Sequence, residues 1–188
     1  MAVRVLRAAE RPATAWLNGG GVTREVAGAP AGAGLADFDW RVSLADVGQG
    51  GPFSAFPGVD RVITLVDGPG MALTVDGTEH VLAQPYRPFA FAGDAVTDCR
   101  LLGGPVVDFN VMTRRGRATA EVAIADYQRE VDVPPGAALL LVCLTGSAGL
   151  GAADLRLGRF DAALLDSPGP DLLRVDGVTA VVTLRPAG

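Results

Sequence analysis

The hydrophobic pattern alternates along much of the chain. Phe38, Trp40, Val42 and Leu44 interleave with Asp39, Arg41, Ser43 and Ala45, the period of a strand with one buried face. Residues 61–66 are apolar on both faces and predict a central strand. Residues 71–75 lie between Asp67-Gly68-Pro69-Gly70 and Asp76-Gly77, so turn chemistry brackets another strand. Residues 106–112, 139–144, 160–165 and 178–184 complete the stronger set. No segment holds a helical period, and residues 121–129 suit a helical turn or a strand equally. The pattern predicts an all-β chain of a dozen or more short strands, arranged as a sandwich or barrel.

The punctuation repeats weakly. Strand, Asp67-Gly68 turn and strand recur as strand, Thr145-Gly146 turn and a glycine-spaced segment. The turn after Phe91 at Gly93-Asp94 has a counterpart in Ser167-Pro168-Gly169, and the Gly104 turn has one in Gly177. This spacing implies two similar modules, residues 37–112 and 113–185, preceded by an arm over residues 1–36. All three are expected to form one compact unit over residues 1–188. Strand–turn–strand modules of this size suggest a two-module cupin (bicupin) built as a jelly-roll barrel.

Composition narrows the function classes. The chain has 188 residues, 49% hydrophobic and 20% charged, with 25 glycines and 13 prolines. Its net charge is −5 and all 16 basic residues are arginine, which argues against a phosphate-tracking nucleic-acid binder. The uncharged segment 133–153 is broken by prolines and glycines. Its continuous apolar run, residues 137–144, is of strand length, so no membrane partner is expected. Cys99 and Cys143 read as buried free thiols of a reducing compartment. With no apolar signal core near the N-terminus, the expected location is cytoplasmic.

The residues available for chemistry are few. His80 is the only histidine, too little imidazole for a cupin iron, manganese or zinc site or for a Ser-His-Asp triad; no metal or other cofactor is expected. Asn18-Gly19-Gly20-Gly21 either forms a tight turn or offers backbone N–H groups to an anion. The stiff segment from Gly51 to Arg61 carries Phe53, Ser54, Phe56 and Asp60, an aromatic loop suited to enclosing a small ligand. Asp60–Arg61 also reads as a local ion pair. Arg41 and Arg61 fall on neighbouring strands, where two guanidinium forks can grip carboxylates.

Together these stretches resemble the HutD/Ves family. The resemblance rests on Trp16-x-Asn18-Gly19-Gly20-Gly21-x-Thr23-Arg24-Glu25, Phe38-Asp39-Trp40-Arg41-x-Ser43 and Gly51-Pro52-Phe53-Ser54-x-Phe56-Pro57-Gly58-Val59-Asp60-Arg61. It continues through Pro88-Phe89-x-Phe91-x-Gly93-Asp94 and Gly103-Gly104-Pro105-Val106-x-Asp108-Phe109-Asn110-x-Met112. It implies a bacterial bicupin associated with histidine utilisation, sensing or binding a small carboxylate such as formylglutamate or urocanate. The expected ligand-binding residues are Arg24, Arg41, Arg61 and Asn110 as polar anchors and Trp16, Phe53 and Phe56 as walls. Asn18, Gly19, Gly20, Gly21, Ser43, Ser54 and Asp60 lie beside them. The alternative is a metal-free isomerase or epimerase with His80 or Tyr86 as proton carrier, a reading that requires His80 at the pocket. Exposed sheet edges predict a homodimer.

Overall fold

The computed structural model describes residues 2–151 and 154–187. In chain order the strands are β1 (Val3–Leu6), β2 (Thr14–Ala15), β3 (Gly21–Ala29), β4 (Trp40–Val47), β5 (Gly51–Pro52), β6 (Val59–Asp67), β7 (Met71–Val75), β8 (Thr78–Leu82) and β9 (Pro88–Ala92). They continue as β10 (Thr97–Leu101), β11 (Val106–Arg114), β12 (Ala118–Ala125), β13 (Arg129–Asp132), β14 (Ala138–Leu150), β15 (Leu155–Leu157), β16 (Ala162–Leu165) and β17 (Pro170–Pro186). A single 3-10 turn at Ala8–Glu10 is the only helical element among the described residues. The ambiguous stretch from Glu121 resolves into β12 and β13. The all-β expectation therefore holds.

The chain divides into two compact units. One spans residues 12–117 and the other joins residues 2–11 to 118–187. The first unit has a six-stranded sheet, β2-β3-β4-β11-β6-β9, and a four-stranded sheet, β5-β10-β7-β8. Ala45, Val47, Ile63 and Leu65 of the larger sheet pack with Met71, Leu73, Leu82 and Cys99 of the smaller. Alternate residues of β4, β6 and β7 enter this core, as the period-two reading requires.

The second unit is a seven-stranded sheet in which β14 and β17 pair along almost their full lengths. Leu139, Leu141, Leu150, Leu157, Leu165 and Leu173 share its core with Cys143. The register slips between Cys143 and Thr145, and just beyond the slip Gly146 faces Gly177. Gly146 has φ +70°, and a Cβ there would lie 1.9 Å from the Asp176 carbonyl oxygen. Only glycine admits so close a backbone crossing, and the bulge bends the ribbon so that its two halves share one core.

Three details differ from the sequence reading. Thr145-Gly146 and Gly177 are not turns but the two sides of this bulge, because pairing resumes beyond it. Residues 1–36 are not an arm. β1 pairs with β16 in the second unit, whereas β3 is an interior strand of the first, between β2 and β4. The boundary between units follows Arg117 rather than Met112, because β11 keeps pairing with β6 through Arg114.

Candidate functional site

The face of β11 carrying Asp108, Asn110 and Met112 forms the floor of the site, while Phe109 and Val111 are buried on its other face. Register places Met112 between Arg41 of β4 and Arg61 of β6. Asn110 lies between Ser43 and Ile63, and Asp108 between Ala45 and Leu65. Three adjacent strands thus present three polar rows to one cavity of about 490 Å³, lined by Arg41, Ser43, Arg61, Asp108, Asn110 and Met112. Trp16, Asn18, Phe53, Ser54 and Phe56 line it as well, with Leu17 and Leu35.

Arg61 is the unusual member. It is only 8% exposed, and its guanidinium carbon lies 5.2, 5.6 and 5.0 Å from the ring centres of Phe53, Phe56 and Phe91. Its Nε is buried without a hydrogen-bond partner. Burial pulls its pKa down to about 10, Asp108 acting in the opposite sense and Arg41 adding to the depression. The ring faces attract the cation but supply no acceptor for its N–H groups. Arg41 is satisfied in part, since its Nε donates to Glu25 Oε2 at 2.7 Å.

Two further buried polar groups line the cavity. The Asn110 Oδ1 is buried and unpaired. Asp108 is 3% exposed, and burial pushes its carboxyl up to about 7, against the attraction of Arg61 and with the help of Asp46. A buried carboxyl therefore converges on an aromatic-walled hollow with an amide and a cation that each carry an unpaired polar atom.

The walls are held from behind. Trp16 Nε1 donates to Thr23 Oγ1 at 2.7 Å, which fixes the indole plane on the end of β3. The Phe56 N–H donates to the Gly93 carbonyl at 2.8 Å and the Gly93 N–H to the Val59 carbonyl at 2.6 Å. A Cβ at Gly93 would meet both the Phe56 and Val59 carbonyl oxygens within 3 Å. Asp94 accepts from the Gly58 N–H at 2.8 Å and pairs with Arg115. The Gly93-Asp94 turn is thus the clamp of the aromatic loop.

Several expected site residues lie elsewhere. Arg24 follows Thr23, which lines the cavity, so strand alternation turns it away, and it pairs with Asp46. Asp60 precedes Arg61 and is turned out for the same reason; it accepts from Arg115 Nη1 at 2.7 Å and forms no local pair with Arg61. Gly19, Gly20 and Gly21 do not line the cavity. The Gly19 N–H donates to the Trp16 carbonyl and the Gly20 N–H to Asn18 Oδ1, so the turn itself uses two of the donors an anion would need. A Cβ at Gly21 would lie 3.1 Å from the Trp16 ring; that glycine makes room for the wall. His80 on β8 packs against the Phe89 ring, centroids 4.7 Å apart and planes tilted by 41°, and neither it nor Tyr86 lines the cavity. The sequence reading missed Asp108, Phe91, Thr23 and Met112. Period two along Val106–Met112 was the signal for Asp108, which shares the face of Asn110.

Cupin barrels commonly hold a metal, but this donor set does not fit one. The cavity offers one carboxyl, from Asp108, with the neutral amides of Asn18 and Asn110 and the hydroxyls of Ser43, Ser54, Thr14 and Thr23 beside two arginines, and no imidazole. Among the described residues no group of three or more His, Cys, Asp or Glu is placed to hold an ion, and no helix is long and apolar enough to cross a membrane.

Two β-sheet units, one enclosing a polar-floored cavity, define a bicupin. The chain belongs to the HutD family, whose pattern matches residues 8–183, a family linked to histidine utilisation. It is similar to the structure of HutD from Pseudomonas fluorescens SBW25, at 34% identity and a TM-score of 0.89 with both chains fully covered. A Pseudomonas aeruginosa PAO1 protein of unknown function matches at 31% and 0.88, with 98% of this chain and 100% of that one covered. An uncharacterised 21.2 kDa protein of the hutC 3′ region of Pseudomonas putida is 44% identical over 110 residues, 58% of this chain and 57% of the relative. Protein Ves of Citrobacter koseri is 44% identical over 117 residues, 61% of this chain and 60% of that protein. The chain thus matches these curated relatives over less than two thirds of their length. The bacterial pirin YhhW of Escherichia coli shares the fold alone, at 8% identity, a TM-score of 0.70 and full coverage of both chains.

Proposed function

We propose that the protein binds a small carboxylate metabolite, such as formylglutamate or urocanate, in the cavity of its first unit and serves a sensing or regulatory role. The observation that carries this reading is Arg61, a buried cation whose Nε has no acceptor, aimed into an aromatic-walled hollow. A carboxylate supplies two acceptors in the plane of the fork. Arg41 shares the row, two strand spacings away, roughly 10 Å between Cα atoms. That span suits a dicarboxylate with one acid group at each arginine and its unpaired N–H or O–H toward Asn110. The cavity volume falls within the range of small-molecule sites. The isomerase reading draws no support from His80 or Tyr86, which lie off the cavity.

The test is a thermal-shift and calorimetric screen of histidine-pathway acids on the parent protein and Arg61→Gln. A dicarboxylate should raise Tm in the parent and lose affinity by about 2–5 kcal/mol in the variant, as when one partner of a buried charge pair is removed. Equal binding by both proteins overturns the assignment.

A further inference from the structure

Resting on the carboxylate reading above, we propose that Asp108 makes ligand binding proton-linked: an incoming carboxylate replaces it as the counter-charge of Arg61, and Asp108 takes up one proton from solvent. The geometry underlies this. Asp108 and Arg61 line the same cavity, both are more than nine-tenths buried, the Arg61 Nε has no hydrogen-bond partner, and each is the charge the other feels most. An anion seated on Arg61 adds negative charge beside a carboxyl already poor in solvation, and two carboxylates in one dry hollow do not both stay ionised.

The other charged groups near Asp108 do not take over its part. On β4, Asp46 is paired with Arg24, and Arg41 is bonded to Glu25. On β10, the Cys99 thiol is buried and pushed up to about 11, partly by Asp108 itself, so it remains neutral. Asp108, raised to about 7, is the cavity carboxyl poised to titrate where proteins work. Further elevation on binding means proton uptake, and affinity then falls as pH rises, by up to tenfold per pH unit between the free and bound values. Such a site reports acid concentration and acidity together.

The probe is formate, the smallest carboxylate, against sodium chloride at equal ionic strength. Carboxyl ¹³C signals of labelled aspartate and the Arg61 Nε–H signal are followed from pH 5 to 9. We expect formate to shift the Arg61 signal, to move the Asp108 midpoint upward by at least half a pH unit, and to bind at least about twofold more weakly at pH 8.5 than at pH 6.5. In Asp108→Asn the pH dependence of formate affinity should flatten. An Arg61 response with an unmoved Asp108 midpoint overturns this proposal and leaves the binding reading standing. No response at Arg61 overturns both.

Discussion

Asp108 sits where a carboxylate is poorly solvated, and the fold is the less stable for its charge. Its pKa is raised from 3.8 to about 7, chiefly by desolvation. In the unfolded chain it is ionised above about pH 4, whereas the folded protein keeps it protonated to about pH 7. Its contribution to stability therefore falls as pH climbs through that window and is flat above it. The shift corresponds to at most about 4 kcal/mol. Asp108→Asn should thus be more stable than the parent at pH 8, with the gain fading toward pH 4; urea titrations of both proteins at the two pH values measure this. A constant difference would mean that Asp108 carries no such burden. This residue also marks how far the sequence could be read. Alternation put Arg41 and Ser43 on one face, the resemblance added Arg61 and Asn110, and alternation applied strictly turns Arg24 and Asp60 out and Asp108 in. What alternation did not reveal is that Phe91, from the distant β9, closes the cage around Arg61. That contact depends on sheet order, which is a long-range property.

At the scale of elements, period two and turn chemistry located the long strands β4, β6, β7, β11, β14, β16 and β17, which bury a face, and passed over short ones such as β2, β5 and β15 that carry too few residues to show a period. They failed where a strand bends without ending. Gly146 and Gly177 look like turn residues, yet they lie opposite one another inside the long β14–β17 ribbon. A local pattern does not distinguish a chain that reverses from one that kinks. Gly146→Ala puts a methyl group into the Asp176 carbonyl at a positive φ. It should cost roughly 2–4 kcal/mol, combining left-handed strain with overpacking. Denaturant unfolding followed by hydrogen exchange should show the loss in β14 and β17, with β6 and β11 little affected. Unchanged protection in β14 would show that the bend yields freely.

At the scale of the whole molecule, the chain leaves the second unit after residue 11 and returns to it at residue 118. β1 closes one edge of the seven-stranded sheet through Val3–Leu165 to Leu6–Ala162 pairing. Val3 and Val5 pack on its core, and Arg7 and the Ala8 N–H both bond Asp161. Deleting residues 2–7 should lower the stability of that unit by about 2–4 kcal/mol, the worth of two partly buried valines and an edge ladder. Amide exchange in β16 should accelerate while β6 and β11 of the cavity unit keep their protection. Equal exchange in β16 with and without β1 would overturn this role.

That closure has a consequence in time. Synthesis proceeds at roughly 5–20 residues per second, so a growing chain that has made β1 waits on the order of 8–30 s before β16 exists to receive it. The cavity unit, contiguous over residues 12–117, is finished well before then. For the whole interval β1 lacks the strand it pairs with in the fold, and is free to add to the edge of a neighbouring chain. Its brevity, and the arginines Arg4 and Arg7 in and beside it, are the usual safeguards against such premature pairing.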